Sequence, residues 1–432
     1  MISHFLAISL QSLSLILNNS TLFNMKIWYK FLFLPVLILA LAGCSKDDDD
    51  DVKNEDNTPY YLYHSKDLTT DDGKVTQLQK HKLGKGVPIV ILGDGFQDRD
   101  IKNGIFRDAT TSTIEALFSI HPLKSLRDYF DVYEVTAVSY SSTNIIYMVE
   151  DSTNYQTAFS TMELNEDSGA TVAQISTGKV SKISEYAKKA IAGINLDDVT
   201  IIMLVNNSDT GGLTISLTYY NEDRDIPTGC GIAYVPLQDI IKFNDDSPFK
   251  NILTYDYDDI SQTIFANTLL HEFGHAFAKL ADEYVGTNTE EIPENYKGYL
   301  TLTHKSGHDK NVSIESDVTK TDWADFAADS RYDFENLGCY EGGAYYATGI
   351  YRPTENSIMR CTNNYFNVIS RVMIYKRSMD IAYGNSWKFD YEDFVKFDLE
   401  KAKAAYQEDK KRYNYSKRFS DQPCFEKMER LR

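Results

Sequence analysis

Apolar residues follow two alternating patterns in the first half of the chain. A continuous apolar run at residues 87–92 is typical of a strand that is buried on both faces, and residues 199–205, apolar except for Thr200, predict another strand. Apolar residues recur with helical spacing at residues 98–120 and 180–191. Because predicted strands and helices alternate, the sequence predicts a layered α/β fold, with helices packed on a mixed, twisted sheet.

Further strands are predicted at residues 129–138, 213–220 and 231–236. Pro236 indicates that the last of these is either ending or lies at an edge of the sheet. Residues 231–235 are therefore a candidate edge strand, which could bind an extended peptide through its backbone.

Residues 1–43 carry the features of an export signal, with Met25 as the expected start. Two lysines precede an apolar run at residues 31–42, and small residues lie directly before Cys44. The small residues and the cysteine resemble the lipobox of bacterial lipoproteins, which implies cleavage before Cys44 and lipidation of its thiol. The alternative is an uncleaved anchor, but the run is shorter than the roughly 20 apolar residues of a spanning helix.

Residues 44–86 are predicted to be an acidic tether or linker between the signal and the folded domain, with a short hairpin as an alternative for part of it. The segment begins Cys-Ser-Lys-Asp-Asp, which resembles the surface-export signal of some Gram-negative lipoproteins. That resemblance implies an outer-membrane lipoprotein whose domain faces outward, and a merely solvated tether is the alternative. No linker rich in proline or serine interrupts residues 87–420, so residues 87–432 are expected to form one domain.

The composition excludes two classes of protein. The 432 residues include 44 Lys and Arg against 63 Asp and Glu, and the net charge of −19 makes nucleic acid an unsuitable partner. A hydrophobic share of 42% is typical of globular proteins and not of proteins that cross a membrane repeatedly.

The cysteines after the lipobox allow three disulfide pairings, or free thiols, and a bond between the second and third would close a modest loop. They are Cys230, Cys339, Cys361 and Cys424.

The clearest chemical signal is at residues 271–275, which read H-E-x-x-H. Residues four positions apart lie on one face of a helix, so His271 and His275 could bind the same Zn²⁺. Glu272 would then lie beside a metal-bound water and could remove its proton. The alternative is an amphipathic helix with two histidines and no metal.

Two imidazoles leave a zinc site without its third protein ligand. Asp282 and Glu283 are both candidates, and Asp282 lies eleven residues after His271. On an unbroken helix that separation is roughly 16 Å along the axis, too far for both residues to bind one ion. We therefore expect the helix to end near residues 278–280 and the chain to fold back, although no glycine marks the turn. A carboxylate in residues 288–340 is the remaining alternative.

Several separated segments resemble the immunoglobulin-A peptidase family of bacterial zinc metallopeptidases. These segments, in order, are residues 90–96, 271–275, 280–284, 351–353 and 356–360. The resemblance extends over about residues 87–385. It implies a zincin-like α+β fold, most similar to the metzincins, with the H-E-x-x-H motif on the active-site helix.

The resemblance also implies roles for single residues. The segment Ser357-Ile358-Met359 matches the methionine turn that lies beneath the zinc site of metzincins, and an ordinary buried methionine is the alternative. Metzincins bring in their third ligand ten residues after the first histidine. In this chain Ala281 lies at that position, and Asp282 is the next residue. A shift of one residue in the alignment gives Asp282 the role, so Asp282 is the favoured third ligand.

Weaker candidates are aromatic, basic and histidine residues after the motif. Tyr365 could contact an oxyanion, Arg352 could contact the substrate, and Trp323 could form the wall of a subsite. A structural role is favoured for each of the three. His304 and His308 are predicted to be exposed in a polar loop.

Together these features predict a surface-anchored, Zn²⁺-dependent endopeptidase with Glu272 as general base. Its substrates would be extracellular proteins or glycoproteins, and the family name suggests immunoglobulin A. One alternative is a zinc-stabilised surface lipoprotein that binds glycans or host glycoproteins. Another is a zinc hydrolase that acts on amides other than proteins.

Overall fold

A computed structural model describes most of the chain after residue 61. The described residues are 58, 62–143, 155–167, 170–207, 211–217, 225–240, 259–286, 290–360, 365–384 and 386–419. The predicted signal and Cys44, Cys361 and Cys424 lie outside these ranges. Cys230 and Cys339 are free thiols. Within the described ranges, no helix is both long and apolar enough to span a membrane.

Among the described residues, six strands form one mixed sheet, and two smaller sheets have two strands each. The strands are Val75–Gln79 (β1), Val87–Asp94 (β2), Phe130–Val135 (β3), Met162–Asp167 (β4), Ala170–Ile175 (β5), Thr200–Val205 (β6), Leu213–Leu217 (β7), Cys230–Pro236 (β8), Tyr340–Gly343 (β9) and Tyr346–Arg352 (β10). The order in the large sheet is β1-β3-β2-β6-β8-β7. Strands β3, β2, β6 and β8 are parallel, whereas β1 and β7 pair antiparallel with their neighbours.

Helices cover both faces of the large sheet, so the predicted α/β architecture with a mixed sheet is confirmed. The α-helices in the described ranges are Asp98–Lys102 (α1), Ile105–Leu117 (α2), Leu123–Leu126 (α3), Val180–Ala190 (α4), Ile264–Ala278 (α5), Glu294–Lys305 (α6), Ala324–Ala328 (α7), Val368–Tyr383 (α8) and Tyr391–Phe419 (α9). One apolar core lies between the sheet and α2, α5 and α8. A second core lies on the opposite face, against α4.

Strand β2 shows why the sequence predicts its central strands well. Ile89 and Ile91 point into the core beneath α5, whereas Val90 and Leu92 point into the core beneath α4. All four side chains are fully buried. A strand covered on both faces needs apolar residues at every position, and this requirement produces the continuous apolar run.

The edges of the sheet differ from the sequence-based prediction. Residues 231–235 are not an edge strand, because β8 pairs with β6 on one side and with β7 on the other. Pro236 instead ends β8, opposite Val205. Among the described strands, the edge next to α5 is β7, and the opposite edge is β1, which lies within the segment predicted to be a tether. Strand β1 is polar and partly exposed, so it has no apolar run to predict it.

Gly231 lets the backbone of α5 lie directly against β8. A Cβ atom at this position would collide with the backbone of Ala276 in α5. We expect Gly231→Ala to lower the free energy of unfolding by about 1–3 kcal/mol, because the helix must move off the sheet. Gly298→Ala is the matched control, since a Cβ at that position in α6 meets open space. Chemical denaturation would measure both, and equal stability of the two variants would contradict this packing.

Candidate metal centre

Helix α5 carries the H-E-x-x-H residues. Its N-cap is Thr263, whose side-chain oxygen accepts a hydrogen bond of 3.1 Å from a backbone N–H in the first turn. One face of the helix is fixed in the core by Phe265, Leu269, Phe273 and Phe277, all fully buried. Because that face is fixed, His271 and His275 lie half-buried one turn apart on the side that remains accessible.

The helix ends where the sequence predicts, and the chain then reverses direction. Lys279 takes a left-handed backbone conformation with φ of 53°. Its N–H donates to the carbonyl of His275 at 3.2 Å, and the N–H of Leu280 donates to the carbonyl of Gly274 at 3.3 Å. A lysine occupies the position that glycine usually takes, so composition does not indicate this turn. The reversal brings Asp282 back to the two histidines.

Three side-chain atoms converge at the accessible face of α5. The Nε2 atoms of His271 and His275 are 3.1 Å apart. Each is also 3.1 Å from Oδ1 of Asp282. Tetrahedral ligands with bonds of 2.0–2.1 Å are separated by about 3.3 Å, so these distances suit a zinc site. In the part of the chain that the structure describes, His271, His275 and Asp282 are the side chains of the metal-binding types that lie close enough together to hold one ion.

The hydrogen bonds of the two imidazoles indicate that this cluster fits a cation. Nδ1 of His271 lies 2.9 Å from the carbonyl oxygen of Ile358, and Nδ1 of His275 lies 2.6 Å from that of Leu280. A carbonyl can only accept, so each Nδ1 carries a proton and Nε2 is the nitrogen that each imidazole can offer to a cation. Nε2 of both imidazoles and the carboxylate oxygen of Asp282 therefore face one another. A cation bound between them would have all three atoms as ligands.

The charges within the cluster support the same interpretation. Burial lowers the pKa of His275, but the charge of Asp282, its hydrogen bond to the ring and the charge of Glu272 together raise the pKa to about 9. Without a metal this ring is therefore protonated, and a bound ion would displace the proton on Nε2. Burial also opposes ionisation of Asp282, yet the charge of His275 and hydrogen bonds with both imidazoles hold its pKa far below the usual range. Asp282 is therefore an ionised carboxylate at neutral pH, which is the form that binds a metal.

Glu272 lies beside the cluster with its carboxylate almost enclosed. Its Oε2 accepts a hydrogen bond of 2.6 Å from Oγ1 of Thr214 on β7. A Cβ atom at Gly212 would lie 2.5 Å from Oε1, so the chain entering β7 also packs against the carboxylate. Burial raises the pKa of Glu272, although the neighbouring imidazoles and Thr214 act in the opposite direction. A carboxylate whose pKa is raised in this way accepts a proton more readily than an exposed one and can later release it.

Glu283, the other candidate for the third ligand, points away from the histidines. Its Oε1 accepts hydrogen bonds from Asn311 at 2.9 Å and Asn367 at 2.8 Å, and its Oε2 accepts one from Ser357 at 2.6 Å. The side chain is fully buried. These bonds join the chain after α5 to the start of α8, so Glu283 has a structural role.

Substitution of the two neighbouring carboxylates should separate these roles. We expect Asp282→Asn to weaken zinc binding by more than the roughly 10–100-fold that loss of an outer-shell partner costs. Glu283→Gln should keep zinc affinity but lower the free energy of unfolding by about 1–3 kcal/mol, because its amide cannot accept all three hydrogen bonds. Zinc titration and chemical denaturation of both variants provide the measurements. The reverse assignment would follow if Glu283→Gln lost zinc and Asp282→Asn kept it.

Two residues at the site have no sequence signal that identifies them. The hydroxyl of Tyr345 donates to Oδ2 of Asp282 at 2.5 Å, and Thr214 contacts Glu272 as described above. The chain contains 30 tyrosines, so composition does not single out one of them. Tyr345 reaches the site through the turn between β9 and β10, which is 63 residues from Asp282.

The weaker candidates have structural environments. Tyr365 is buried and accepts a hydrogen bond of 3.0 Å from Arg371. Arg352 donates to the carbonyls of Glu341 and Gly342 at 2.7 and 2.8 Å, so it holds β9 against β10. Trp323 is fully buried, as its predicted packing role requires.

The two histidines predicted to be exposed are not. Nδ1 of His304 pairs with Asp322 at 3.0 Å. His308 is 5% exposed, and burial, together with the charges of Lys279 and Arg377, lowers its pKa to about 3. Polar neighbours in the sequence suggest a solvated loop, but the chain after α6 folds back against the end of α5.

Comparison with known proteins adds one match. Residues 326–377 match the model of a family described as IgA Peptidase M64, and no curated protein matches the chain. The matched segment contains residues 351–353 and 356–360, which are two of the segments that carry the sequence resemblance. The H-E-x-x-H residues lie outside it. The predicted resemblance is therefore confirmed: over residues 326–377 the chain is similar to the IgA Peptidase M64 family, and this similarity supports a peptidase, that is, a hydrolase.

Proposed function

We propose that the protein is a zinc-dependent endopeptidase. The observation that carries the proposal is the convergence of His271 Nε2, His275 Nε2 and Asp282 Oδ1 at separations of 3.1 Å, beside the buried carboxylate of Glu272. Catalytic zinc sites use three protein ligands of this kind and keep a fourth position for water or substrate. Similarity to a peptidase family over residues 326–377 supports the same activity.

The site residues have separate tasks in peptide hydrolysis. His271, His275 and Asp282 would hold the ion, which when bound polarises the scissile carbonyl and acidifies a water molecule. Glu272 accepts the proton of that water and later passes it to the leaving amine. Thr214 donates to Oε2 of Glu272, so it orients the carboxylate and leaves Oε1 available for the proton.

Packing beneath α5 supports a zincin-like site with Met359 in the methionine turn. Met359 is fully buried. Its Sδ would lie 2.8 Å from a Cβ atom at Gly274, so it packs directly against the turn that separates the two histidines. The preceding residue, Ile358, accepts the hydrogen bond that orients His271. A methionine here gives the histidines a rigid apolar base.

Strand β7 is the better candidate for backbone pairing with substrate. Within the described ranges it forms an edge of the large sheet, and it runs beside α5, where Thr214 contacts Glu272 in the second half of the helix. An extended peptide paired with this edge would pass close to the candidate metal centre. This arrangement favours unfolded or loop segments of protein substrates.

We also propose that the domain is displayed as a lipoprotein on the outer membrane. The support is the sequence pattern around Cys44, which lies outside the described residues. Cys44→Ser should release the protein from the membrane fraction into the soluble fraction. Continued membrane association of that variant would contradict the lipid anchor. Surface display would give the site access to extracellular proteins and glycoproteins, with immunoglobulin A as one candidate.

Metal removal and replacement test the proposed activity. Purified protein would be incubated with a panel of extracellular proteins that includes immunoglobulin A. We expect a chelator to abolish cleavage and added Zn²⁺ to restore it, whereas Mg²⁺ should not, because it prefers oxygen ligands. Zinc binding without cleavage of any substrate would favour the alternative, a zinc-stabilised lipoprotein that binds glycans or host glycoproteins.

A further inference from the structure

The two oxygens of the Asp282 carboxylate have different partners. Oδ1 faces the histidines and lies 3.1 Å from Nε2 of both His271 and His275. Oδ2 accepts a hydrogen bond of 2.5 Å from the hydroxyl of Tyr345. The carboxylate therefore presents one oxygen to the cluster, while the other is held by the phenol.

The backbone around Tyr345 is fixed in an uncommon conformation. Ala344 and Tyr345 have φ of 45° and 71°, in the left-handed region that residues other than glycine rarely adopt. The N–H of Ala344 donates to the carbonyl of Asp282 at 2.8 Å, and the N–H of Tyr345 donates to that of Tyr284 at 3.1 Å. The carbonyl of Tyr345 accepts from Gly286 at 3.1 Å. A two-residue turn between antiparallel strands commonly needs positive φ at both positions, so the hairpin of β9 and β10 fixes where the Tyr345 side chain lies.

A second tyrosine extends the hydrogen-bonded chain. The hydroxyl of Tyr284 donates to that of Tyr345 at 3.1 Å and also hydrogen-bonds to Asp282, so both phenols face this carboxylate. The two rings meet edge to face, with centroids 5.1 Å apart. This contact limits rotation of the Tyr345 ring and keeps its hydroxyl on Oδ2.

We infer that Tyr345 is a positioning residue that makes Asp282 a ligand through one oxygen. The inference rests on the proposed metal site. A carboxylate can bind a metal through one or both oxygens. If Oδ2 also bound, it would take the position that a catalytic site keeps for water or substrate. Tyr345 occupies Oδ2 and so preserves an open position beside Glu272.

Tyr345→Phe tests this inference, with Tyr346→Phe as the matched control. Tyr346 is the next residue, and its ring packs against Tyr296 with centroids 5.5 Å apart. The full chain of each variant would be titrated with Zn²⁺ against a competing chelator and loaded with Co²⁺ for visible absorption. We expect Tyr345→Phe to bind Zn²⁺ about 10–100-fold more weakly. Its Co²⁺ spectrum should weaken relative to the native one, because a second carboxylate oxygen raises the coordination number.

A double-mutant cycle with Asp282→Asn separates positioning from general support of the fold. If Tyr345 acts through Asp282, removal of its hydroxyl should cost little further zinc affinity in the Asp282→Asn background. Circular dichroism of the metal-free variants monitors the fold. Native zinc affinity and a native Co²⁺ spectrum in Tyr345→Phe would overturn the inference, as would equal losses in both backgrounds. A native protein that binds no zinc would instead overturn the proposed function itself.

Discussion

Glu272→Ala is expected to lower the rate of peptide hydrolysis by about 10²–10⁴-fold while zinc remains bound. Glu272 supplies none of the three atoms that converge on the candidate metal centre, so removal of its side chain should leave the metal ligands in place. It does lie beside them on the same helix, where it is the buried carboxylate able to take a proton from water. The expected loss is therefore in turnover and not in metal content.

The measurement is the turnover number of native and variant protein, with zinc content determined on the same samples. Glu115→Gln is a suitable control, because Glu115 lies on the exposed side of α2. Glu272→Gln keeps the size of the side chain and checks that the loss does not come from a cavity. Unchanged turnover in either Glu272 variant would show that another group acts as the base.

His275→Ala should lose the metal and the stability that the metal provides. At free zinc 100-fold above the Kd, a bound ion contributes about 2.7 kcal/mol to the free energy of unfolding. That contribution should disappear in the variant, so added zinc would raise the melting temperature of the native protein but not that of His275→Ala. The imidazole also bonds to the carbonyl of Leu280, which helps to end α5, so some metal-independent stability should be lost as well.

Thermal unfolding with and without zinc, together with metal analysis, would check this expectation. His64→Ala is a control for the loss of a histidine elsewhere, since His64 stacks on Tyr140 and lies outside the cluster. Full zinc occupancy in His275→Ala would refute a ligand role for this residue.

The parts of the fold that the sequence predicts are those with a uniform environment. Strands β2 and β6 are buried on both faces, so each appears as an apolar run. Strand β1 is exposed at an edge, and its polar residues resemble those of a linker. Pro236 favours an edge at residues 231–235, but that proline ends a strand that is paired on both sides. Local composition does not report which strands lie beside one another.

The residues of the candidate site also differ in how well the sequence predicts them. His271, Glu272 and His275 have a fixed spacing on one helix, so the sequence identifies them directly. The choice between Asp282 and Glu283 depends on a turn that begins at a left-handed lysine, and only the structure shows which carboxylate faces the histidines.

Contacts from distant parts of the chain are harder still to predict. Thr214 reaches Glu272 from the edge strand, and Tyr345 reaches Asp282 from a turn between two short strands. Neither residue belongs to a local motif. Their positions follow from tertiary packing alone.

The most direct test is cleavage of a peptide library, read by mass spectrometry, with the native protein and with Glu272→Ala at equal zinc content. We predict cleavage at defined peptide bonds by the native protein only. That result would establish a metallopeptidase and would reveal which residues it prefers on each side of the bond. Cleavage at the same bonds by Glu272→Ala, or no cleavage by zinc-loaded native protein, would contradict the proposed mechanism.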